Sequence, residues 1–258
     1  HSLIVEINKS AEVIRDSGYR ERKLSTVFFG GGTPSLFSGK QIASIVQSLE
    51  DVFGFEPQVE ITTEANPEST TPAFLAELTK SGITRVSLGA QSFDPDVLQT
   101  LDRIHDPKKV KPLVEAANQL GLDTSIDLIY GAPGESLDSW KQTVSTALEL
   151  GTGHVSAYSL IVEPGTKLAR QIRSGELAST NEDLDAEKYV YADQAFSEAG
   201  LDWYEFSNWG KPSKHNQAYW RSQDWWGYGP GSHSHLSGNR FWNTKHPLTY
   251  QKQLETRV

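Results

Sequence analysis

The chain has 258 residues, of which 37% are hydrophobic and 22% are charged, and its formal net charge is −9 at pH 7. A chain of this size and composition can bury a full hydrophobic core, which argues against intrinsic disorder. No apolar run reaches the roughly 18 residues of a membrane helix, the acidic balance disfavours a nucleic-acid-binding protein, and the absence of cysteine excludes a disulfide framework. These properties favour a cytoplasmic protein.

Helix and strand signals alternate along the first 200 residues. Apolar residues spaced near 3.6 predict helices over 3–18, 39–53, 70–81, 107–120, 136–150 and 183–199. Short β-rich runs predict strands over 25–29, 59–64, 84–88, 124–130, 154–161 and 202–206. Such regular alternation implies parallel strands with right-handed crossovers. The sequence therefore predicts an α/β fold, a partial TIM-type (β/α) barrel.

The character of the chain changes near residue 203. Residues 203–242 contain six of the seven tryptophans, together with many Gly, His and Tyr, and show little helical period. We therefore predict a barrel domain over 1–202 and the start of an appended, aromatic and Gly-rich C-terminal module over 203–258.

Polar residues follow successive predicted strands at their ends. They are the turn Gly30–Ser35, Glu64, Gln91, Asp127 and Glu163. The carboxyl ends of parallel barrel strands share one mouth, where active sites are built. Five such positions favour a small-molecule site, and three consecutive glycines let a ligand approach bare backbone.

Each of these residues also has a plainer interpretation. The Gly-rich segment could be only a turn, and it is neither a Walker loop nor GxGxxG. Glu64 could be a surface carboxylate or a helix cap, and Asp127 could cap a neighbouring loop. Arg103 could form an ordinary salt bridge on a helix face.

A second cluster lies in the tail, where His215, Tyr219 and Trp220 precede a Gly-rich aromatic segment. Aromatic clusters usually belong to a core, but these could instead hold a flat aromatic ligand, with a histidine as axial ligand to iron. His233 and His235 are two residues apart, which would put both on one face of a strand and leaves a metal pair open.

Several motifs resemble one known family. They are FFGGGTPS (28–35), TEANPES (63–69), RVSLGAQSFD (85–94), LDRIH (101–105), DLIYGAPGES (127–136), SAYSLIVEPGT (156–166), YEFSNW (204–209), HNQAYW (215–220) and WWGYGPGSH (225–233). In this order they resemble the radical S-adenosylmethionine family of oxygen-independent coproporphyrinogen III dehydrogenases and their relatives, from about residue 25 to 245. The HNxxYW block is similar to the haem-chaperone branch.

The resemblance implies roles for individual residues. Gly31, Gly32 and Thr33 would bind S-adenosylmethionine, and the positions that match further contacts to this cofactor are Glu64, Gln91, Arg103 and Asp127. Carboxylates suit the amino group and ribose hydroxyls of the cofactor, and an arginine suits its carboxylate. His215 would contact haem and ligate its iron, with Tyr219 and Trp220 lining that site.

One feature of the family is missing from these residues. The family holds a [4Fe–4S] cluster through CxxxCxxC after the first barrel strand, and this chain has no cysteine. We expect that strand and the cluster loop to lie upstream of His1. The alternative is a clusterless binding protein that keeps the barrel as a scaffold.

The resemblance implies a haem chaperone that binds haem and transfers it to acceptor haemoproteins such as respiratory enzymes, supported by S-adenosylmethionine and the cluster. The main alternative is an oxygen-independent coproporphyrinogen III dehydrogenase, which decarboxylates propionate side chains in haem biosynthesis. Neither implies a nucleic-acid partner or a transmembrane segment, and peripheral membrane contact would come through the acceptors.

Overall fold

A computed structural model describes residues 1–18 and 23–256. One seven-stranded sheet dominates it, and a hairpin forms a second, two-stranded sheet. The strands are β1 Leu24–Phe29, β2 Phe55–Ala65, β3 Arg85–Gln91, β4 Asp123–Tyr130, β5 His154–Ser159, β6 Trp203–Glu205, β7 Asn208–Gly210, β8 His233–Leu236 and β9 Asn239–Trp242.

The large sheet has the strand order β1-β2-β3-β4-β5-β7-β6 and curls into a half-barrel. Strands β1 to β5 pair in parallel. The predicted α/β fold with a partial (β/α) barrel is therefore confirmed. Strand β7 pairs antiparallel with β5, and β6 pairs antiparallel with β7. The last predicted strand, 202–206, is thus shorter than expected and belongs to an antiparallel pair, because the chain turns back after Glu205 without a crossover helix.

The helices are α1 Ser2–Asp16, α2 Gly39–Phe53, α3 Pro72–Lys80, α4 Pro95–Thr100, α5 Val110–Gln119, α6 Leu137–Glu149, α7 Lys167–Ser174, α8 Glu182–Glu198, α9 Lys214–Trp220 and α10 Pro247–Thr256. All six predicted helices are present. Ser38 begins α2 with a capping box, in which it is paired reciprocally with Gln41. The six-residue α4 and the eight-residue α7 were not predicted, since so few residues show little periodicity.

The strands carry two different faces because side chains alternate along them. The apolar residues of one face, among them Ile61, Val86, Leu88, Ile126 and Val155, are buried in a single core with the surrounding helices. Residues of the opposite parity are mostly polar and line the inside of the half-barrel. They include Glu60, Glu64, Ser87, Asp127 and Ser156.

The tail contacts the half-barrel at two places, the β5 edge of the large sheet and helix α1. Strands β6 and β7 extend the large sheet, so the start of the predicted C-terminal module adjoins the barrel directly. Buried Glu6 of α1 accepts hydrogen bonds from the Gly229 amide at 2.8 Å, from Asn243 and from Tyr250. The tail also contains α9 and α10, which its composition did not predict. The domain boundary between 202 and 203 remains a prediction.

The helices described here are all too short or too polar to cross a bilayer.

Candidate functional site

A glycine loop follows β1 at the mouth of the half-barrel. Gly31 and Gly32 have φ of +76° and +63°, and a Cβ added at either would meet no atom within 4 Å. The Gly31 amide donates a hydrogen bond of 3.2 Å to Glu64 Oε2. The loop therefore presents open backbone that a ligand can approach, held in place from β2. Thr33 ends it, directly before a 3₁₀ turn at Pro34–Leu36.

Glu64 and Asp127 are two carboxylates on the inner face of the sheet. Burial raises the pKa of Glu64, the Gly31 amide opposes this, and the negative charge of Asp127 raises the pKa further. Burial likewise raises the pKa of Asp127. Because the charge of Asp127 disfavours the ionised form of Glu64, a cation bound near the two carboxylates would favour ionised Glu64.

Two serines that the sequence reasoning missed hold Asp127 in place. Ser87 Oγ donates to Asp127 Oδ2 at 2.7 Å, and Ser156 Oγ donates to Oδ1 at 2.9 Å. They lie on β3 and β5, the two neighbours of β4. Asp127 is therefore bonded across the sheet and does not cap a loop. Alternation within each strand could have indicated both serines, since each has inward parity.

Gln91 ends β3 with a φ of +64°, so its backbone is in the left-handed region. Its side chain folds back over Gly89, where an added Cβ would lie 2.7 Å from Gln91 Nε2. Gln91 thus lies at the mouth, as predicted from the strand end.

Arg103 and Glu163 are less well placed than the other predicted residues. Arg103 is exposed and follows α4, outside the helix face that the salt-bridge interpretation assumed. Glu163 is exposed beyond β5. In the described residues neither side chain has a hydrogen bond to the glycine loop or the two carboxylates. Their roles stay predictions.

A polar network at the opposite end of the half-barrel was not foreseen. Arg85, only 6% exposed, lies 3.2 Å from His154 Nδ1 through its Nη2, and His154 Nε2 lies 2.9 Å from the Tyr204 hydroxyl. Burial, reinforced by the charge of Arg85, lowers the pKa of His154 to about 3. His154 is therefore neutral at ordinary pH.

His215 lies in the first turn of α9, a helix of the tail whose N-terminus contacts β1 and β2. Ser213 caps this helix by accepting from the Asn216 amide at 3.3 Å. Glu60 of β2 accepts from Ser213 Oγ at 3.0 Å, from the Lys214 amide at 2.9 Å and from the His215 amide at 3.0 Å. One strand carboxylate thereby fixes the start of the helix that carries His215.

The His215 ring lies between β1 and its own helix. It stacks on Phe28 at 5.1 Å between centroids, its Nδ1 is 2.8 Å from Thr26 Oγ1, and its Nε2 is 3.0 Å from the Tyr219 hydroxyl. Burial is the main cause that lowers the pKa of His215 to about 4. The ring is consequently a neutral imidazole, the form in which histidine ligates a metal.

A groove of about 1830 Å³ connects the glycine loop with His215. It runs along β1 between α1, α2, α9 and the β8 hairpin. The residues that contribute to it from both candidate sites are Gly31, Thr33, Phe28, His215, Tyr219, Trp220 and Trp225. The core interpretation holds for Trp209, which is fully buried, whereas Trp220 is 62% exposed and lines the groove, so its contact with a ligand stays a prediction.

The histidine pair in β8 does not form a metal site with further ligands in the described part of the chain. His233 and His235 share a face of β8, and each ring packs against a tryptophan, Trp242 and Trp225 respectively. Within 1–18 and 23–256 no group of three or more His, Asp or Glu residues is arranged to hold a metal ion.

The residues of the mouth suit S-adenosylmethionine. The Glu64 and Asp127 carboxyl groups would face its ammonium and sulfonium groups, and the open Gly31–Gly32 backbone leaves room for a ligand to come close. The same residues do not suit an iron–sulfur cluster, because clusters are held by thiolates and the 258 residues contain no cysteine.

The chain belongs to the radical SAM superfamily, whose sequence profile matches residues 5–147, more than half of the chain. Membership implies S-adenosylmethionine and a [4Fe–4S] cluster as the cofactors of the family. Among curated proteins, the chain is 48% identical over 233 residues to Heme chaperone HemW of Mycobacterium tuberculosis, covering 89% of this chain and 60% of that protein. It is 36% identical over 225 residues to Heme chaperone HemW of Lactococcus lactis, covering 86% of this chain and 59% of that protein. The chain thus spans about 60% of the length of these relatives.

The fold also has a close match among solved structures. Coproporphyrinogen III oxidase (HemN) from Escherichia coli, described as a radical SAM enzyme, superposes with a TM-score of 0.84 over 99% of this chain and 61% of that one, at 23% identity. At this identity the likeness establishes the half-barrel fold alone.

Proposed function

We propose that this chain is part of a haem chaperone, which binds haem and passes it to acceptor haemoproteins. The observation that carries the proposal is the position of His215, a neutral imidazole stacked on Phe28 with its Nε2 beside the Tyr219 hydroxyl. The similarity to two relatives named Heme chaperone HemW supports it. Phe28, Tyr219 and Trp225 offer aromatic surface for a flat macrocycle, and His215 offers a nitrogen ligand for its iron.

The decisive experiment is a haem titration of the full-length protein, followed by the Soret band, with His215→Ala beside wild type. We expect haem affinity to fall at least ten-fold in this variant. His246→Ala is a matched control, since His246 is exposed and lies outside the groove. Equal affinity in all three proteins would refute the assignment.

We further propose that S-adenosylmethionine binds at the mouth, with Gly31, Gly32, Thr33, Glu64 and Asp127 in contact with it and with Gln91 and Arg103 completing the site. The bound cofactor supplies radical chemistry only beside a reduced cluster. The protein residues hold and orient it and exclude water from it.

We propose that the thiolates for the cluster belong to the full-length protein outside these 258 residues. Anaerobic reconstitution with iron and sulfide tests this, because a reduced [4Fe–4S] protein gives an EPR signal that a cofactor bound at the cluster shifts. Absence of any cluster would favour the clusterless binding protein. Release of CO₂ from coproporphyrinogen III would favour the dehydrogenase, and we expect none. A haem chaperone of this kind would act in the cytoplasm, on acceptors such as respiratory enzymes.

A further inference from the structure

The His215 ring uses both nitrogens in hydrogen bonds, and its two partners differ in kind. Thr26 Oγ1 is 2.8 Å from Nδ1, and the Tyr219 hydroxyl is 3.0 Å from Nε2. A neutral imidazole has one N–H donor and one acceptor nitrogen, so only one of the two partners accepts a hydrogen from the ring. The other donates its hydroxyl hydrogen to the ring lone pair.

Thr26 is held by the sheet. It lies within β1 and is the register partner of Glu60, the residue that fixes the backbone of His215. Two adjacent strand residues on one face therefore hold both the ring and the main chain of the histidine. The Thr26 side chain is therefore suited to fix the orientation of the His215 ring, as outer hydrogen-bond partners do for metal-bound histidines.

Tyr219 is more exposed than Thr26. Its side chain is on the surface of α9, 45% exposed, and its ring meets the His215 and Trp225 rings edge-on at 4.8 Å. The phenol is one helical turn after His215, so a change of its side-chain torsions uncovers Nε2 without moving the helix. Nδ1 faces Thr26 of β1 and Nε2 faces Tyr219 of α9, and both partners line the groove.

We propose that Thr26 is a positioning residue, which accepts the Nδ1–H of His215, and that Tyr219 is a displaceable cap, which donates its hydroxyl to the Nε2 lone pair. Haem iron takes Nε2 only after the cap leaves. This inference rests on the proposed haem binding. It assigns the Tyr219 hydroxyl a competing role, beside the aromatic surface that the Tyr219 ring offers.

The test is a haem titration of full-length Tyr219→Phe, which keeps the ring packing and removes only the hydroxyl. A single hydrogen bond is worth about 1 kcal/mol, so its removal should tighten haem binding about five-fold. Weaker binding would mean that the phenol itself holds haem, and unchanged binding would mean that no cap competes. Either result overturns the proposal for Tyr219.

Thr26 is tested by an isosteric pair of variants. Thr26→Val fits the strand and removes the acceptor, so we expect haem binding to weaken about five-fold. Thr26→Ser retains the hydroxyl and should bind like wild type. Equal binding by Thr26→Val and Thr26→Ser would overturn the positioning role.

A haem-free measurement separates this inference from the proposed function. Nitrogen-15 NMR of labelled histidine reports the tautomer directly, and we expect Nδ1–H at His215 in wild type and a mixture of tautomers in Thr26→Val. An Nε2–H tautomer in wild type would refute the assignment. If His215→Ala bound haem normally, the proposed function would fail, while the NMR result would still show which nitrogen of His215 carries the hydrogen and whether Thr26 sets it.

Discussion

Substitution of Glu60 measures how much the contact between β2 and helix α9, which carries His215, contributes to stability. Its carboxylate accepts three hydrogen bonds from the first turn of α9, at 2.9 to 3.0 Å. Glu60→Gln keeps one oxygen but places an NH₂ group against a backbone amide, so at least one charge-assisted bond is lost. Such bonds contribute about 1.5–3 kcal/mol each, and a carboxylate near a helix N-terminus adds about 0.3–1 kcal/mol. We expect the free energy of unfolding to fall by about 2 kcal/mol.

Urea denaturation of the full-length protein measures this change, with Glu56→Gln as the control. Glu56 is an exposed carboxylate on the same strand, and substitution there should alter the unfolding free energy by less than about 0.5 kcal/mol. Because Glu60 also bonds the His215 amide, Glu60→Gln should weaken haem binding as well. Equal midpoints for the two variants would show that α9 does not depend on this carboxylate.

Two further predictions concern the mouth and the buried network. Gly31→Val should abolish S-adenosylmethionine binding measured by calorimetry, because a β-branched residue resists positive φ and fills the open approach to the loop. The control is Gly121→Val, at another glycine with positive φ and free space, and this variant should bind the cofactor normally. Normal affinity in Gly31→Val would contradict the role of the loop. His154 has its pKa lowered by burial from 6.5 to about 3, so between these values the unfolded chain binds a proton that the folded protein does not. Stability should therefore decrease as pH falls through this window, by at most about 1.4 kcal/mol per pH unit. The free energy of unfolding should depend less steeply on pH in His154→Gln than in wild type or in His246→Gln, which replaces an exposed histidine. An unchanged slope in His154→Gln would show that His154 does not cause the pH dependence.

The barrel could be predicted because the buried residues of its outer face alternate with polar residues along each strand, a pattern visible in a short stretch of sequence. Ile126 and Leu128 flank Asp127, and this alternation identifies both the strand and the carboxylate that points the other way. The ends of the strands then locate the mouth, since parallel strands bring their carboxyl ends together. Gly31 and Glu64 were found by this rule, and the structure joins them by a hydrogen bond.

The tail could not be predicted in the same way. Its helix α9 is only seven residues long, and its main partners, Thr26 and Glu60, precede it by more than 150 residues. No periodicity along the chain reports such a contact, and the composition of the tail suggested loops. The isolated polar residues Thr26 and Glu60 had inward parity, but nothing in the sequence distinguished a side chain that faces a ligand from one that faces a helix.

The inner face of β2 joins the two candidate sites. Glu64 bonds the glycine loop at the mouth, and Glu60 bonds the helix that carries His215. They are four residues apart on one strand, which places their Cα atoms about 13 Å apart at about 3.3 Å per residue. Sites separated by more than about 10 Å with no shared partner act additively. The two carboxylates have no common hydrogen-bond partner among the described residues, so Glu60→Gln should leave cofactor affinity unchanged and Gly31→Val should leave haem affinity unchanged. The groove nevertheless connects the glycine loop with His215 along β1, so coupling between the cofactor and haem would come from the ligands themselves or from groove residues such as the exposed Tyr219.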